Sequence, residues 1–300
     1  IKNNYQNAYH NLGATYLKLD KLNNATDVFK KAIEINNKNH LFYDGLGTAY
    51  YKMGQNDLSK FNFEKSLSLY STNYETCNML GILNSNDNYK KAKFYFEKAI
   101  HINSRIKDSF YNLGNLFKNN YEFSNAIINL KKAISIDNKF IKSYSSLSSI
   151  YLKLGQYKSA LDNLEIIMKI DPNYPNAYRN LAIVYDKMGK YDEAIRYNCH
   201  LINLNPKDKT LLQNLSLIFN KYCPEIIYPE LADSILKILQ TDGVCRPNSI
   251  IKPIFNRLFA DTNFYKIFEE DNITSKENLE QICTKLSKNT IFIKFLEVCP

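Results

Sequence analysis

A period of 34 residues runs through the first two thirds of this 300-residue chain, and it limits the possible folds more than any other feature. NLGATY at 11–16, GLGTAY at 45–50 and NLGNLF at 112–117 announce the repeat; SLSSIY at 146–151 and NLAIVY at 180–185 continue it. Six consecutive repeats fill 6–39, 40–73, 74–106, 107–140, 141–174 and 175–208, the third being one residue short. Position 4 of each repeat is Tyr9, Tyr43, Cys77, Phe110, Tyr144 and Tyr178, and position 7 is always leucine. Position 8 is small throughout: Gly13, Gly47, Gly81, Gly114, Ser148 and Ala182. Position 11 returns to bulk with Tyr16, Tyr50, Asn84, Phe117, Tyr151 and Tyr185. These four positions share one helical face. A second face begins with Ala25, Ser59, Ala92, Ala126, Ala160 and Ala194, followed four residues later by Phe29, Phe63, Phe96, Leu130, Leu164 and Asn198. Each repeat therefore predicts two short amphipathic helices joined by a tight turn, with Gly54, Gly155 and Gly189 serving three of the turns. A helix pair of this size cannot bury its own apolar face, so repeats must stack on one another.

The pattern resembles the tetratricopeptide repeat, with its aromatic–x2–Leu–Gly–x2–Tyr, its Ala–x3–Phe and its terminal proline, here Pro172 and Pro206. The resemblance covers about residues 6–208. It implies an all-α fold, a right-handed α-solenoid of helix–turn–helix repeats. Leu212, Leu215, Ser216 and Phe219 continue positions 4, 7, 8 and 11 into one more helix, which reads as a cap, so that the solenoid spans 1–222. Beyond Cys223-Pro224 the period is lost, and residues 223–300 read as a small C-terminal helical domain or linker. The third repeat departs most from the pattern. Cys77 and Asn84 replace aromatics and a residue is missing near Ser85–Asp87, which predicts an irregular turn and a weak joint.

Composition agrees with helix. Glycine (9) and proline (8) are scarce, which argues against turn-rich sandwiches and barrels. Six cysteines are too few for a disulfide scaffold; unpaired thiols fit a cytoplasmic protein. No apolar run is long enough for a membrane-spanning helix. The net charge of +9 resides wholly in residues 1–208, with 28 basic and 19 acidic residues. With 39 asparagines and only 5 arginines, part of that charge is what codon bias in an AT-rich genome would produce. Without arginine clusters or an exposed aromatic platform, it disfavours nucleic acid as the partner. Catalytic patterns are missing. Seven of the nine glycines hold repeat positions, no HExxH or GxSxG occurs, and Cys199-His200 point about 100° apart on a helix. No cofactor or metal is expected, and no enzymatic activity within these residues.

In tetratricopeptide solenoids the first helix of each repeat lines a concave groove, where positions 2, 5, 6, 9, 12 and 13 face the ligand. Position 6 gives Asn11, Asn112, Asn180 and, in the cap, Asn214. An asparagine amide both donates and accepts, so it can hold a peptide backbone without reading side chains. The row resembles the asparagine ladder of protein O-GlcNAc transferases, interrupted here by Gly45, Met79 and Ser146. Position 13 gives Lys18, Lys52, Lys153 and Lys187, a row suited to an acidic peptide. The doublets Lys30-Lys31 and Lys131-Lys132 belong to second helices, where a solvated face is expected. The resulting expectation is a protein-interaction scaffold binding a peptide segment of a partner in the groove. The alternative is the N-terminal recognition arm of a longer enzyme, a methyltransferase or glycosyltransferase. That reading rests on the ladder and on the tail, which loosely resembles the helical linker of bacterial repeat–methyltransferase fusions.

Overall fold

The computed structural model describes residues 2–205, 208–219, 222 and 234. Among them are thirteen α-helices and no strand. The first repeat supplies α1 (Lys2–Lys18) and α2 (Leu22–Ile35), the second α3 (His40–Lys52) and α4 (Asn56–Leu69). The third supplies α5 (Tyr74–Asn84) and α6 (Tyr89–Ile102), the fourth α7 (Lys107–Asn119) and α8 (Phe123–Ile136). The fifth and sixth give α9 (Ile141–Lys153), α10 (Tyr157–Ile170), α11 (Pro175–Lys187) and α12 (Tyr191–Leu204). Leu212 and Leu215 lie on a further helix, α13 (Lys209–Phe219). From the second repeat on, every first helix starts on the first residue of its period. Side chains and proline fix several of those starts: Asn39 accepts from Leu41 N–H, Asn73 accepts from Glu75 and Thr76 N–H, and Pro175 opens α11.

The turn inside each repeat obeys one rule with one exception. Asp20, Gly54, Tyr121, Gly155 and Gly189 share repeat position 15, and all five adopt positive φ between 55° and 73°. The next residue then donates its N–H back to the position-11 carbonyl, as in Gln55 to Tyr50 (2.9 Å) and Gln156 to Tyr151 (2.8 Å). This is the Schellman end, in which a left-handed residue lets the chain reverse and satisfy a terminal carbonyl. The residue missing from the third repeat is this left-handed one. There α5 stops two residues early, and Asn88 N–H bonds the Asn84 carbonyl at 2.8 Å without any positive φ. Asn88 then caps α6 with its side chain by accepting from Lys91 N–H at 3.0 Å. The expected irregular turn is present, and it exchanges a glycine-type closure for an asparagine cap.

Packing explains the small residues. Ala25, Ser59, Ala92, Ala126, Ala160 and Ala194 are wholly buried, as are Phe29, Phe96, Leu130 and Leu164 to within 1%. A methyl group on Gly81 would lie 2.4 Å from the Phe96 ring, so the glycine is the space in which that ring sits. Ser59, standing for alanine, donates its hydroxyl to the Gly47 carbonyl at 2.8 Å and stays satisfied in the core. The second helices α2, α4, α6, α8 and α12 pack on the first helix of their own repeat; α2, α4, α6 and α10 also pack on the first helix of the following repeat.

Two compact bodies emerge from these contacts, Ile1–Ile150 and Tyr151–Pro300, dividing within α9. Residues 223–300, apart from Ser234, lie outside the described residues. So does the expected tail domain, and with it the resemblance to a methyltransferase linker.

Candidate protein-interaction face

In the N-terminal body, first helices touch one another directly (α1 with α3, α5 with α7) and so line one face side by side. Their polar side chains form bonds that cross from repeat to repeat. Asp44 accepts from Thr76 Oγ1 at 2.6 Å and from Asn73 Nδ2 at 2.8 Å, and lies 3.3 Å from His40 Nδ1. Asn78 accepts from Ser109 Oγ at 3.2 Å and from Asn112 Nδ2 at 3.1 Å. Asn115 accepts from Ser146 Oγ at 2.9 Å. Thr76 and Ser109 are buried, so their hydroxyls need these partners. The network ties the stack laterally and fixes the rotamers of the Asn78 and Asn112 amides.

Beside it lies a cavity of about 570 Å³, lined among others by Glu75, Asn78, Met79, Arg105, Lys107 and Asp137. Lys107 Nζ donates to Asp137 Oδ2 at 2.6 Å. That hydrogen bond raises the lysine pKa above its ordinary value; it lowers that of Asp137, helped by the backbone N–H of Lys139. Both groups therefore stay charged, and the lysine also stands 4.9 Å from the Phe140 ring centroid. On the second helices nearby, Tyr89 donates to Glu122 of the next repeat. Burial, then this bond and the charges of Glu122 and Glu97, push the Tyr89 phenol up to about 12.

In the C-terminal body a smaller cavity of about 180 Å³ opens between α11, α12 and α13, with Arg179, Asp186, Asn198 and Asn214 in its wall. It lies where Asn198 replaces the usual bulky residue; that amide turns back to the Ala194 carbonyl at 2.9 Å.

The residues expected to contact a ligand fall into distinct settings. Asn11 and Lys18 are exposed on α1. Lys52 is exposed but engaged, donating to the Leu17 carbonyl at 3.0 Å and lying 3.6 Å from Asp20. Asn112 is half-buried and bonded to Asn78. Lys153 and Lys187 are exposed in the last turns of α9 and α11. Asn180 is half-buried on α11, and Asn214 is half-buried against the smaller cavity. The interruptions in the asparagine row have reasons. A methyl on Gly45 would lie 2.2 Å from the Phe29 ring, Ser146 joins the network through Asn115, and Met79 lines the larger cavity. Asp44, Asn78 and Asn115, which sequence reasoning did not single out, are the acceptors that organise the face. Their signal lay in positions 5 and 9, next to the asparagine row.

Among the described residues no cluster of His, Cys, Asp or Glu could hold a metal ion, and no helix is long and apolar enough to cross a membrane. Cys77 is fully buried, and burial raises its thiol pKa; Cys199 is likewise buried, while His200 stacks on Tyr178 at 4.1 Å.

Stacked helix pairs with polar bonds running from repeat to repeat define a helical-repeat scaffold. Tetratricopeptide repeat profiles match residues 6–39, 42–73, 74–105 and 108–140, and a related one matches 151–216. The chain belongs to the tetratricopeptide-repeat family, whose arrays typically mediate protein–protein interaction. Among curated proteins it is 36% identical over 114 residues to the "Protein CTR9 homolog" of Arabidopsis thaliana, a match covering 36% of this chain and 10% of that protein. It is 24% identical over 102 residues to anaphase-promoting complex subunit 3 of Schizosaccharomyces pombe, covering 34% and 15%. Each match spans less than a sixth of the relative's length. Among solved structures, PilF of Pseudomonas aeruginosa superposes with a TM-score of 0.64 at 16% identity, over 74% of this chain and 99% of that one. Cut9 in the APC/C hetero-tetramer Cut9–Hcn1 gives 0.62 at 18% identity, over 71% and 42%. These likenesses establish the fold.

Proposed function

We propose that the chain is a non-catalytic scaffold that holds an extended peptide segment of a protein partner against the first helices. The observation carrying this reading is the coincidence of cavity and register. In each body, a cavity has walls that include first-helix positions 2, 5, 6, 9 or 12, namely Glu75, Asn78 and Met79 in one and Arg179, Asp186 and Asn214 in the other. Amides held by neighbours, as Asn112 is by Asn78, offer preorganised groups to a peptide backbone at little ordering cost. Lys18 and Lys187, exposed at the helix ends, favour a segment bearing carboxylates. The test is a peptide array of extended acidic and neutral sequences probed with the 300-residue chain and with the Asn11→Ala, Asn112→Ala, Asn180→Ala, Asn214→Ala variant. Circular dichroism verifies that the variant is folded. A loss of about tenfold or more in affinity is expected, corresponding to about 1.4 kcal/mol; unchanged binding rejects the groove.

A further inference from the structure

The outer face of the second helices, where sequence reasoning expects solvent, carries an apolar row in the middle of the N-terminal body. Phe61 on α4, Phe94 on α6 and Ile128 on α8 are 64%, 58% and 59% exposed. Phe61 and Ile128 share repeat position 22, and Phe94 is its equivalent in the short third repeat. The other three repeats place Asp27, Asp162 and Arg196 there, the charged groups suited to an open helix surface. Leu58, one turn before Phe61 and 46% exposed, widens the row at one end. Phe61 and Phe94 each lie two residues from a ring that is buried, Phe63 and Phe96, so their exposure follows from the helical period. Three large apolar groups at one position of consecutive repeats form a row that solvent alone does not explain.

Charge follows the same boundary. Helices α4, α6 and α8 hold eight lysines against three acids, whereas α2, α10 and α12 hold five basic and six acidic residues. Lys65, Lys98 and Lys132 stand four residues after Phe61, Phe94 and Ile128, one helical turn along the same face. Neither these three nor Lys90, Lys91 and Lys131 take part in an ion pair among the described residues.

We infer that this surface is a second docking site, separate from the first-helix face, for an acidic amphipathic α-helix of a partner protein. The apolar stripe of such a helix covers Phe61, Phe94 and Ile128, and carboxylates along its edges meet the flanking lysines. A second copy of this chain fits poorly, because pairing two such faces opposes lysine to lysine. A lipid surface fits poorly as well: one apolar side chain on each of α6 and α8 and two on α4 are far fewer than the continuous apolar stripe that an interfacial helix buries.

The test uses the 300-residue chain and a fluorescein-labelled, helix-stapled peptide with leucine on one face and glutamate elsewhere, followed by anisotropy. The wild-type chain is expected to bind it. Phe61→Ser, Phe94→Ser and Ile128→Ser together are expected to weaken binding about tenfold or more, and Lys65→Glu, Lys98→Glu and Lys132→Glu to weaken it further as salt dependence falls. Asn11→Ala with Asn112→Ala, and Asp27→Ser with Asp162→Ser, are expected to leave it unchanged, which separates this site from the groove. The proposal is overturned if the wild-type chain fails to bind, or if the triple serine variant binds equally well. It is also overturned if the serine variant abolishes dimerisation in sedimentation, or if binding to phosphatidylserine vesicles replaces binding to the peptide.

Discussion

Along the first helices of the N-terminal body, Asp44, Asn78 and Asn115 accept hydrogen bonds from the next repeat; along the second helices, Phe61, Phe94 and Ile128 stand in solvent. One face has paired many of its polar groups across repeats, though not the buried Ser143 hydroxyl, and the other has left apolar groups uncovered. The difference teaches that polarity at a repeat position does not by itself mark a contact residue. Asn112, at a position expected to face a ligand, has a structural bond to make, whereas Phe94 has little besides a ring contact with its neighbour Tyr95 at 5.4 Å.

The sharpest way to break the contrast lies within α6. Phe96→Ala removes a buried ring seated in the space above Gly81 and is expected to cost about 3–5 kcal/mol in urea unfolding. Phe94→Ala, two residues away, is expected to stay within about 0.5 kcal/mol of wild type. Comparable losses would mean that the outer face is packed after all. On the inner face, Asp44→Ala strands the buried Thr76 hydroxyl and is expected to cost about 1–3 kcal/mol by the same measurement. A neutral result would reduce the polar network to decoration.

A pH series sharpens the link between repeats three and four. The Tyr89 phenol titrates near 12 in the folded chain against 10.0 for the free side chain. Unfolded chain thus loses this proton first, and the stability it supplies is whole below pH 10 and is lost as pH rises toward 12. Unfolding midpoints of Tyr89→Phe should fall less steeply across that window; identical slopes would show that the bond to Glu122 does not couple the repeats. The smallest effect concerns the turn at Tyr121, whose φ of 62° is unfavourable for a side chain. Tyr121→Gly is expected to raise stability by about 1 kcal/mol, read as a small rise in Tm; a fall would mean that the Tyr121–Phe123 ring contact outweighs the backbone strain.

The period alone placed the helices. Starts at His40, Tyr74, Lys107, Ile141 and Pro175 were legible because helical faces and left-handed turn positions are local properties, encoded within a few residues of where they act. The short third repeat was legible as an irregular turn for the same reason. Its remedy, the Asn88 cap, was not, because losing one residue shifts which N–H reaches which carbonyl. Gly45 looked like a gap in a ligand ladder until the Phe29 ring of the preceding repeat was found to occupy its side-chain space. Sequence by itself determined the repeat, its helix starts and its core, since those follow from spacing along one chain. Tertiary structure decided which asparagines bond one another and which phenylalanines remain uncovered, since both depend on what the neighbouring repeat brings within about 3–4 Å.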